Sequence, residues 1–418
     1  KQNGGMKLEN RIVGKHALTK KMVSNILKTS QEAKAAKRLD PNVIDATVGM
    51  LNLETGNVCK YKTVADTLAQ LTDAETYHYA PANGTAEFRN GIVDWVFGPH
   101  KEAILKTFHV NVIPTTGGSG AISNAMYNFN DFGQKILIPN NYWTPYENIA
   151  YEANLGVETF LMYDEQYNFN RKDFREKALA LSEEQQRLFL VLNDPCNNPT
   201  GLCLTKADWV EVINVLNEIA RKNYPVTILH DLAYLDYDMS GWENSRDIFE
   251  TYLQMDERIL AVIAFSGSKT FSLYGFRVGA QVGLSKSQEV IDDFIRVGDY
   301  SVRARFSSVN RPAMSAIGKI FTNEDKKQAF KAELMQARAI LKKRVEFFKA
   351  CAEKENLITM PYGGGFFIGI PTGNLNIYED LVKDGVFVIT MKGMIRIAIS
   401  SVPLSEIERL VKIIKKHV

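Results

Sequence analysis

The sequence has little of several things, and each shortage narrows its function. Only four of its 418 residues are cysteine. Cys59, Cys196, Cys203 and Cys351 form no C-x-x-C pair and have no histidine at zinc-finger spacing. That excludes a disulfide-built miniprotein and a structural zinc module, and the thiols read as buried or incidental groups in a reducing cytoplasm. No apolar run approaches the roughly 18 residues of a membrane span. The most apolar strand-like stretch, Ile259 to Phe265, is far shorter. An excess of one charge is missing too: 50 Lys and Arg face 48 Asp and Glu, so no global field draws the chain to nucleic acid or anionic lipid. Lys1 to Asn10 lack the charged-then-apolar layout of a secretory signal, which points to a cytoplasmic protein. Internal repeats and low-complexity tracts are absent.

What is present is a globular composition. With 45% hydrophobic and 23% charged residues, the chain can bury a core, and its length suits two or three domains at roughly 100–200 residues each. Short apolar runs alternate with helical stretches: Lys135–Pro139, Val157–Met162, Arg187–Leu192, Val226–Leu229 and Ile259–Ala264. They are continuously apolar rather than alternating, which predicts strands buried on both faces of a mainly parallel sheet. Between them lie helices such as 206–222, with Thr205 as N-cap. The tail differs. A long amphipathic helix is predicted over 323–355, then strands at Phe366–Ile370, Val386–Ile389 and Ile395–Ile399 and a final helix from Leu404. The fold class is therefore α/β, with a large mainly parallel sheet sandwiched by helices and a smaller α+β domain. A helix expected over 19–37 has no partner nearby in sequence and is assigned to the small domain. That domain then comprises 1–50 and 316–418, and the large one 51–315.

In an open parallel sheet, ligands bind beyond the carboxyl ends of the strands. After Val110–Ile113 comes Thr115-Thr-Gly-Gly-Ser-Gly-Ala121, a glycine-rich turn opening a helix. There, backbone N–H groups and the helix dipole can meet an anion. It is neither a Walker loop nor a dinucleotide fingerprint. After Leu190–Leu192 comes Asn193-Asp-Pro-Cys-Asn-Asn-Pro-Thr-Gly201, and after Thr227–Leu229 comes His230-Asp-Leu-Ala-Tyr234. Phe265 is followed by Ser266-Gly-Ser-Lys269 and then Gly275-Phe-Arg-Val-Gly279. Lys269, flanked by Ser266, Ser268 and Arg277 directly after an apolar strand, is poorly explained as a solvated surface group.

Taken in order, Gly-Ser-Gly, Asn-Pro-Thr-Gly, Asp-x-x-Tyr, Ser-x-Ser-Lys and Gly-x-Arg-x-Gly resemble the pyridoxal-phosphate enzymes of fold type I. They are most similar to the class I/II aminotransferases related to aspartate aminotransferase, and the matching motifs run from Gly49 to Arg396. The resemblance implies pyridoxal 5'-phosphate as cofactor, amino-acid and 2-oxo-acid substrates, and a homodimer with shared active sites.

The same resemblance implies a role for each residue. Lys269 matches the Schiff-base lysine, Asp231 the carboxylate that keeps the pyridine nitrogen protonated, and Tyr234 and Asn198 the partners of the phenolic oxygen. Gly118, Ser119, Gly120, Ser266, Ser268 and Arg277 match the phosphate site, and Tyr79 a tyrosine reaching it from the neighbouring subunit. Trp143 matches the aromatic stacked on the ring, with Tyr142 as the alternative if the register slips. Arg396, a charge in an otherwise apolar strand, matches the clamp on the substrate α-carboxylate, with a structural ion pair as the competing role. Gly49 matches a backbone contact near that carboxylate. Arg296, Arg303 and Arg305 are candidates for a distal substrate carboxylate.

The expected reaction is amino-group transfer. A carbon–sulfur β-lyase on the same scaffold is the alternative. A ligand-sensing transcription regulator is disfavoured, because only about fifty residues precede the Gly49 motif and such proteins carry a DNA-binding module.

Overall fold

Strands apolar along their whole length build the central sheet of the chain, seen in a computed structural model that describes residues 12–18, 20–21, 26–391 and 393–418. The first strand, β1 (Ile44–Asp45), lies outside this sheet. The sheet has seven strands: β2 (His109–Thr115), β3 (Lys135–Pro139), β4 (Gly156–Phe160), β5 (Leu188–Asn193), β6 (Val226–Asp231), β7 (Ile259–Ser266) and β8 (Gly279–Ser285). Their order is β2-β8-β7-β6-β5-β3-β4. Every residue of β5, β6 and β7 is buried, as a sheet covered on both faces requires. The β3 to β7 pairings are parallel, and β8 runs antiparallel to both β7 and β2. The glycine-interrupted strand β8 was not among the expected strands.

This topology brings several loops to one edge. Asn193 pairs with Asp231, and Asp231 with Ala264. Because β8 is reversed, its first residue Gly279 pairs with Ser266 and with Thr115, the last residue of β2. The loops after β2, β5, β6 and β7 and the one before β8 therefore emerge together. The strand order reverses between β3 and β5, the switch point where such sheets bind ligands.

The tail forms a second set of strands. β9 (Phe367–Pro371), β11 (Ile389–Met391) and β12 (Met394–Ala398) make an antiparallel sheet in the order β11-β12-β9, and β10 (Val386–Phe387) pairs in parallel with β1. The expected single strand 386–389 is thus split. Its first half turns to the N-terminal segment, and Ile389 turns to β12.

The described part of the N-terminal helix runs Ile26–Leu39, while residues 19 and 22–25 of the expected span lie outside the described residues. Ala33, Val43 and Phe387 bury one another, and Lys37 Nζ reaches Glu406 at 3.3 Å, so segment 26–45 sits on the tail. The helix Lys206–Arg221 starts at a Thr205–Asp208 capping box. The long helix Glu324–Lys354 starts at Asn323, whose side chain accepts from the Lys326 N–H. The expected boundary at 315/316 falls inside the helix Arg311–Thr322. That helix packs against Ala86–Phe97, where a Cβ on Gly91 would stand 2.5 Å from the Phe321 ring. The first break in this region is Asn323, between two helices. Among the described residues no helix is long and apolar enough to cross a membrane.

Candidate active site

The converging loops enclose a cavity of about 190 Å³. Gly118, Ser119, Trp143, Asn198, Asp231, Tyr234, Ser266, Ser268, Lys269 and Arg277 line it, all of them residues nominated from sequence. Asn193, Ile122 and Ala233 also line it and were not nominated.

One end is built to hold an anion. The helix Gly117–Asn128 begins here, and its N-cap residue Thr116 makes no side-chain cap, so the first-turn N–H groups remain for a ligand. Opposite stand the hydroxyls of Ser266 and Ser268. The Ser268 Oγ accepts from Arg277 Nη1 at 3.2 Å, which aims the guanidinium at the helix terminus. A Cβ on Gly117 would lie 2.8 Å from Arg277 Nη2, so only glycine lets the backbone come this close. Gly120, in the first turn of the same helix, is not among the residues lining the cavity, and a Cβ there would meet Thr116 Oγ1 at 2.5 Å. Its small size serves the packing of the helix's first turn.

The other end carries an acid and an amine. Asp231, the last residue of β6, is buried; burial pushes its carboxyl up to about 6. Its Oδ2 accepts from the Tyr146 hydroxyl at 2.6 Å and its Oδ1 from the Ala233 N–H at 3.0 Å. Asn193 Nδ2 donates to the Asp231 carbonyl at 3.0 Å, and Asn193 Oδ1 accepts from the Asn198 N–H at 2.7 Å. Lys269 follows β7 in the short helix Gly267–Thr270. Removal from water, then the positive charges of Arg277 and Arg396, push its amine down to about 7. Its Nζ donates to the Gly49 carbonyl at 2.9 Å and lies 4.8 Å from the Tyr274 ring centre. Buried Tyr234 lies on the same side, its ring centre 5.7 Å from that Nζ, and burial raises its phenol well above the ordinary value.

Arg396 lies on β12 and is only 4% exposed. Its Nη1 donates to Asn198 Oδ1 at 3.1 Å and its Nη2 to the Thr47 carbonyl at 2.6 Å, and its guanidinium lies over the Phe367 ring at 4.3 Å. Its Nε, although buried, has no hydrogen-bond partner among the described residues. Its contacts among the described residues are an amide oxygen, a carbonyl and a ring, with no carboxylate paired to it, which removes the structural ion pair as its role. A buried cation with a free donor beside the cavity is a place for a ligand's carboxylate.

Other nominated residues fall elsewhere. Trp143, not Tyr142, lines the cavity, since the Tyr142 hydroxyl donates to Glu147. Tyr79 is 86% exposed and lies outside its own chain's cavity; its carbonyl accepts from Arg311 Nη1 at 2.7 Å. Arg296, Arg303 and Arg305 belong to the helix Gln288–Phe306 and do not line the cavity. Arg296 pairs with Asp293, Arg303 donates to Ser307, and Arg305 lies over Tyr127. Arg296 and Arg305 instead line a separate surface groove of about 810 Å³. Tyr146 and Tyr274 are the functional neighbours that sequence reading missed. A usable signal existed for Tyr146 alone, one helical turn on from Trp143 with its N–H bonded to the Trp143 carbonyl.

Comparison with known proteins bears on the fold and the family. The chain is 29% identical over 316 residues to the aromatic-amino-acid aminotransferase of Escherichia coli, covering 73% of this chain and 76% of that protein. It is 24% identical over 311 residues to the aspartate aminotransferase of Salmonella typhi, covering 74% and 76%. The solved structure of an aminotransferase from Anaerococcus prevotii superposes with a TM-score of 0.93 at 30% identity, covering 97% of this chain and 99% of that one. The structure of an aromatic-amino-acid aminotransferase from Burkholderia pseudomallei, covalently bound to pyridoxal phosphate, shares the fold with a TM-score of 0.78 at 18% identity, covering 97% and 99%. The profile of the aminotransferase class I and II family matches residues 41–414, and the chain belongs to that family.

Proposed function

We propose that this protein moves an amino group between an L-amino acid and a 2-oxo acid, using pyridoxal 5'-phosphate held in the cavity beyond β5, β6 and β7. The observation that carries this reading is the juxtaposition in one cavity of an anion cradle, an aromatic wall, a buried carboxylate and an amine of lowered basicity. These groups fit the cofactor. The cradle of Gly118, Ser119, Ser266, Ser268 and Arg277 suits a phosphate, Trp143 suits stacking on a flat ring, and Asp231 suits a ring nitrogen. Lys269 suits an aldehyde carbon, because only a neutral amine attacks a carbonyl.

When bound, the cofactor takes up the amino group and spreads the negative charge released at the substrate α-carbon over its ring. The protein does the rest. Lys269 Nζ would hold the aldehyde carbon and, when free of it, would take the proton from the substrate α-carbon and deliver it to that cofactor carbon. Asp231, steadied by Tyr146 and the Ala233 N–H, holds a proton at the ring nitrogen. Tyr234 and Asn198 hydrogen-bond the ring's phenolic oxygen. Arg396 would clamp the substrate α-carboxylate, and Asn198, whose Oδ1 accepts from Arg396 Nη1, would link that clamp to the ring's phenolic oxygen. The backbone at Gly49 closes this side of the site.

The same reading makes the protein a homodimer with shared sites. Tyr79, exposed and held at its carbonyl by Arg311, is offered to the phosphate cradle of a second copy. It also divides the chain into a large domain carrying the cradle and a small one built from both termini carrying Arg396, with the second break at Asn323. The free cysteines Cys59, Cys196, Cys203 and Cys351 suit a cytoplasmic setting.

The relatives named above are aminotransferases, so the carbon–sulfur lyase is not carried forward. A panel of L-amino acids with 2-oxoglutarate and added cofactor tests the reading. Stoichiometric formation of glutamate and the matching 2-oxo acid is expected. Pyruvate release from cystathionine with no amino transfer would overturn it.

A further inference from the structure

Just past Asp231 and Tyr234 the chain makes a one-turn 3-10 helix, Leu235–Tyr237, to which the roles above assign no task. It is bonded twice to the helix that carries Lys269. The Tyr237 hydroxyl donates to the main-chain carbonyl of Lys269 at 3.3 Å. The Thr270 hydroxyl donates to Asp236 Oδ2 at 2.7 Å. Consecutive residues of one turn thus grip consecutive residues of the other.

Each grip is backed by buried groups. The Tyr61 and Tyr237 hydroxyls lie 2.9 Å apart. With the single Tyr237 proton directed at Lys269, Tyr61 is the donor of that pair. Asp236 Oδ2 also accepts from Trp95 Nε1 at 3.0 Å, and Asp236 Oδ1 from Arg246 Nη2 at 2.6 Å. Asp236 and Arg246 are 1% and 0% exposed, and the Arg246 guanidinium lies 4.0 Å from the Trp242 ring centre. Arg338, from the helix Glu324–Lys354, donates to the Asp236 carbonyl at 2.6 Å. A buried ion pair with its remaining lone pairs satisfied has one arrangement, and that rigidity passes to whatever it holds.

A lysine amine rides on a long flexible stem, so its position depends on where its backbone is fixed. Around Lys269 Nζ stand Asp231, Tyr234, Tyr274 and Phe366, with Arg277 and Arg396 contributing charge. A small displacement changes its distance to all of these at once.

We infer that Asp236 and Tyr237 are positioning residues for Lys269, fixing through its carbonyl and through Thr270 the place at which its amine meets the cofactor. This rests on the assignment of Lys269 as the cofactor-binding lysine.

The test uses holoenzyme and the variants Tyr237→Phe, Thr270→Val and Thr270→Ser. The readouts are the pH midpoint of the visible absorbance of the lysine–cofactor linkage, and kcat and KM separately. Tyr237→Phe and Thr270→Val should each move the midpoint by about half a unit or more and lower kcat by roughly tenfold, with KM little changed. Thr270→Ser, which keeps the hydroxyl, should restore both. Unchanged midpoints and kcat in Tyr237→Phe and Thr270→Val, with or without a lower melting temperature, would overturn the positioning role while leaving Lys269 in place. Wild-type protein with no borohydride-reducible cofactor would instead overturn the assignment of Lys269, and the positioning role with it.

Discussion

Lys269 Nζ donates to the carbonyl oxygen of Gly49 at 2.9 Å, a contact between residues 220 positions apart. It brings the end of β7 against the segment that follows β1, and so places the amine beside the groups that surround Arg396. Gly49 also abuts Phe367, the ring beneath the Arg396 guanidinium. The lysine and the carboxylate clamp therefore share one wall.

That wall leaves no room at Gly49. A Cβ there would stand 2.3 Å from the Phe367 ring. Gly49→Ala should push Phe367 aside and disturb the Arg396 clamp, costing about 1–3 kcal/mol as an overpacked site. The expected outcome is a higher KM for the amino-acid donor with cofactor affinity little changed, checked by steady-state kinetics and cofactor titration. Wild-type KM would contradict the shared wall.

Arg396→Ala removes the clamp itself. Charge-assisted hydrogen bonds contribute about 1.5–3 kcal/mol each, so KM for the amino acid should rise roughly ten- to a hundredfold while cofactor binding stays near wild type. Equal losses of substrate and cofactor affinity would assign Arg396 to the fold instead.

Asp231→Asn keeps the shape and the Tyr146 partner but removes the negative charge. Cofactor retention should persist through the phosphate cradle, while kcat falls by about 10²–10³, the scale on which a preorganised electrostatic partner acts. A kcat within twofold of wild type would contradict the role given to the carboxylate.

The pH dependence of cofactor capture follows from Lys269. Its amine is pushed down to about 7 from 10.5, and the neutral amine is the nucleophile. Capture of pyridoxal phosphate by the cofactor-free protein should therefore be fast above pH 7 and be lost as pH falls through about 7. Stopped-flow absorbance checks this. A midpoint near the ordinary lysine value would show that Lys269 is not desolvated.

The strand-end residues were legible in the sequence because their context is local. Lys269 between serines after an apolar strand, Asp231 at a strand end and Asn198 in a turn-rich loop carry their meaning within a few residues. The nearness of Tyr146 to Trp143 was the one local sign of its role, but the bond between Tyr146 and Asp231 was not legible, since the two lie 85 positions apart and only the fold joins them. The same holds for Tyr237 and Lys269. Strand β8 escaped notice because Gly279 and Gly283 interrupt its apolar pattern, and both are there for close packing, on Gly117 and Phe294. The arginines of 296–305 had the right charge, but their helix places them elsewhere.

The most direct test of the central claim is borohydride reduction of the holoprotein followed by peptide mapping. The account predicts that the reduced cofactor is found on the peptide containing Lys269 and is absent from Lys269→Ala, which should also lose turnover by at least about 10²–10⁴. Label on another lysine, or multiple turnovers by Lys269→Ala, would contradict it.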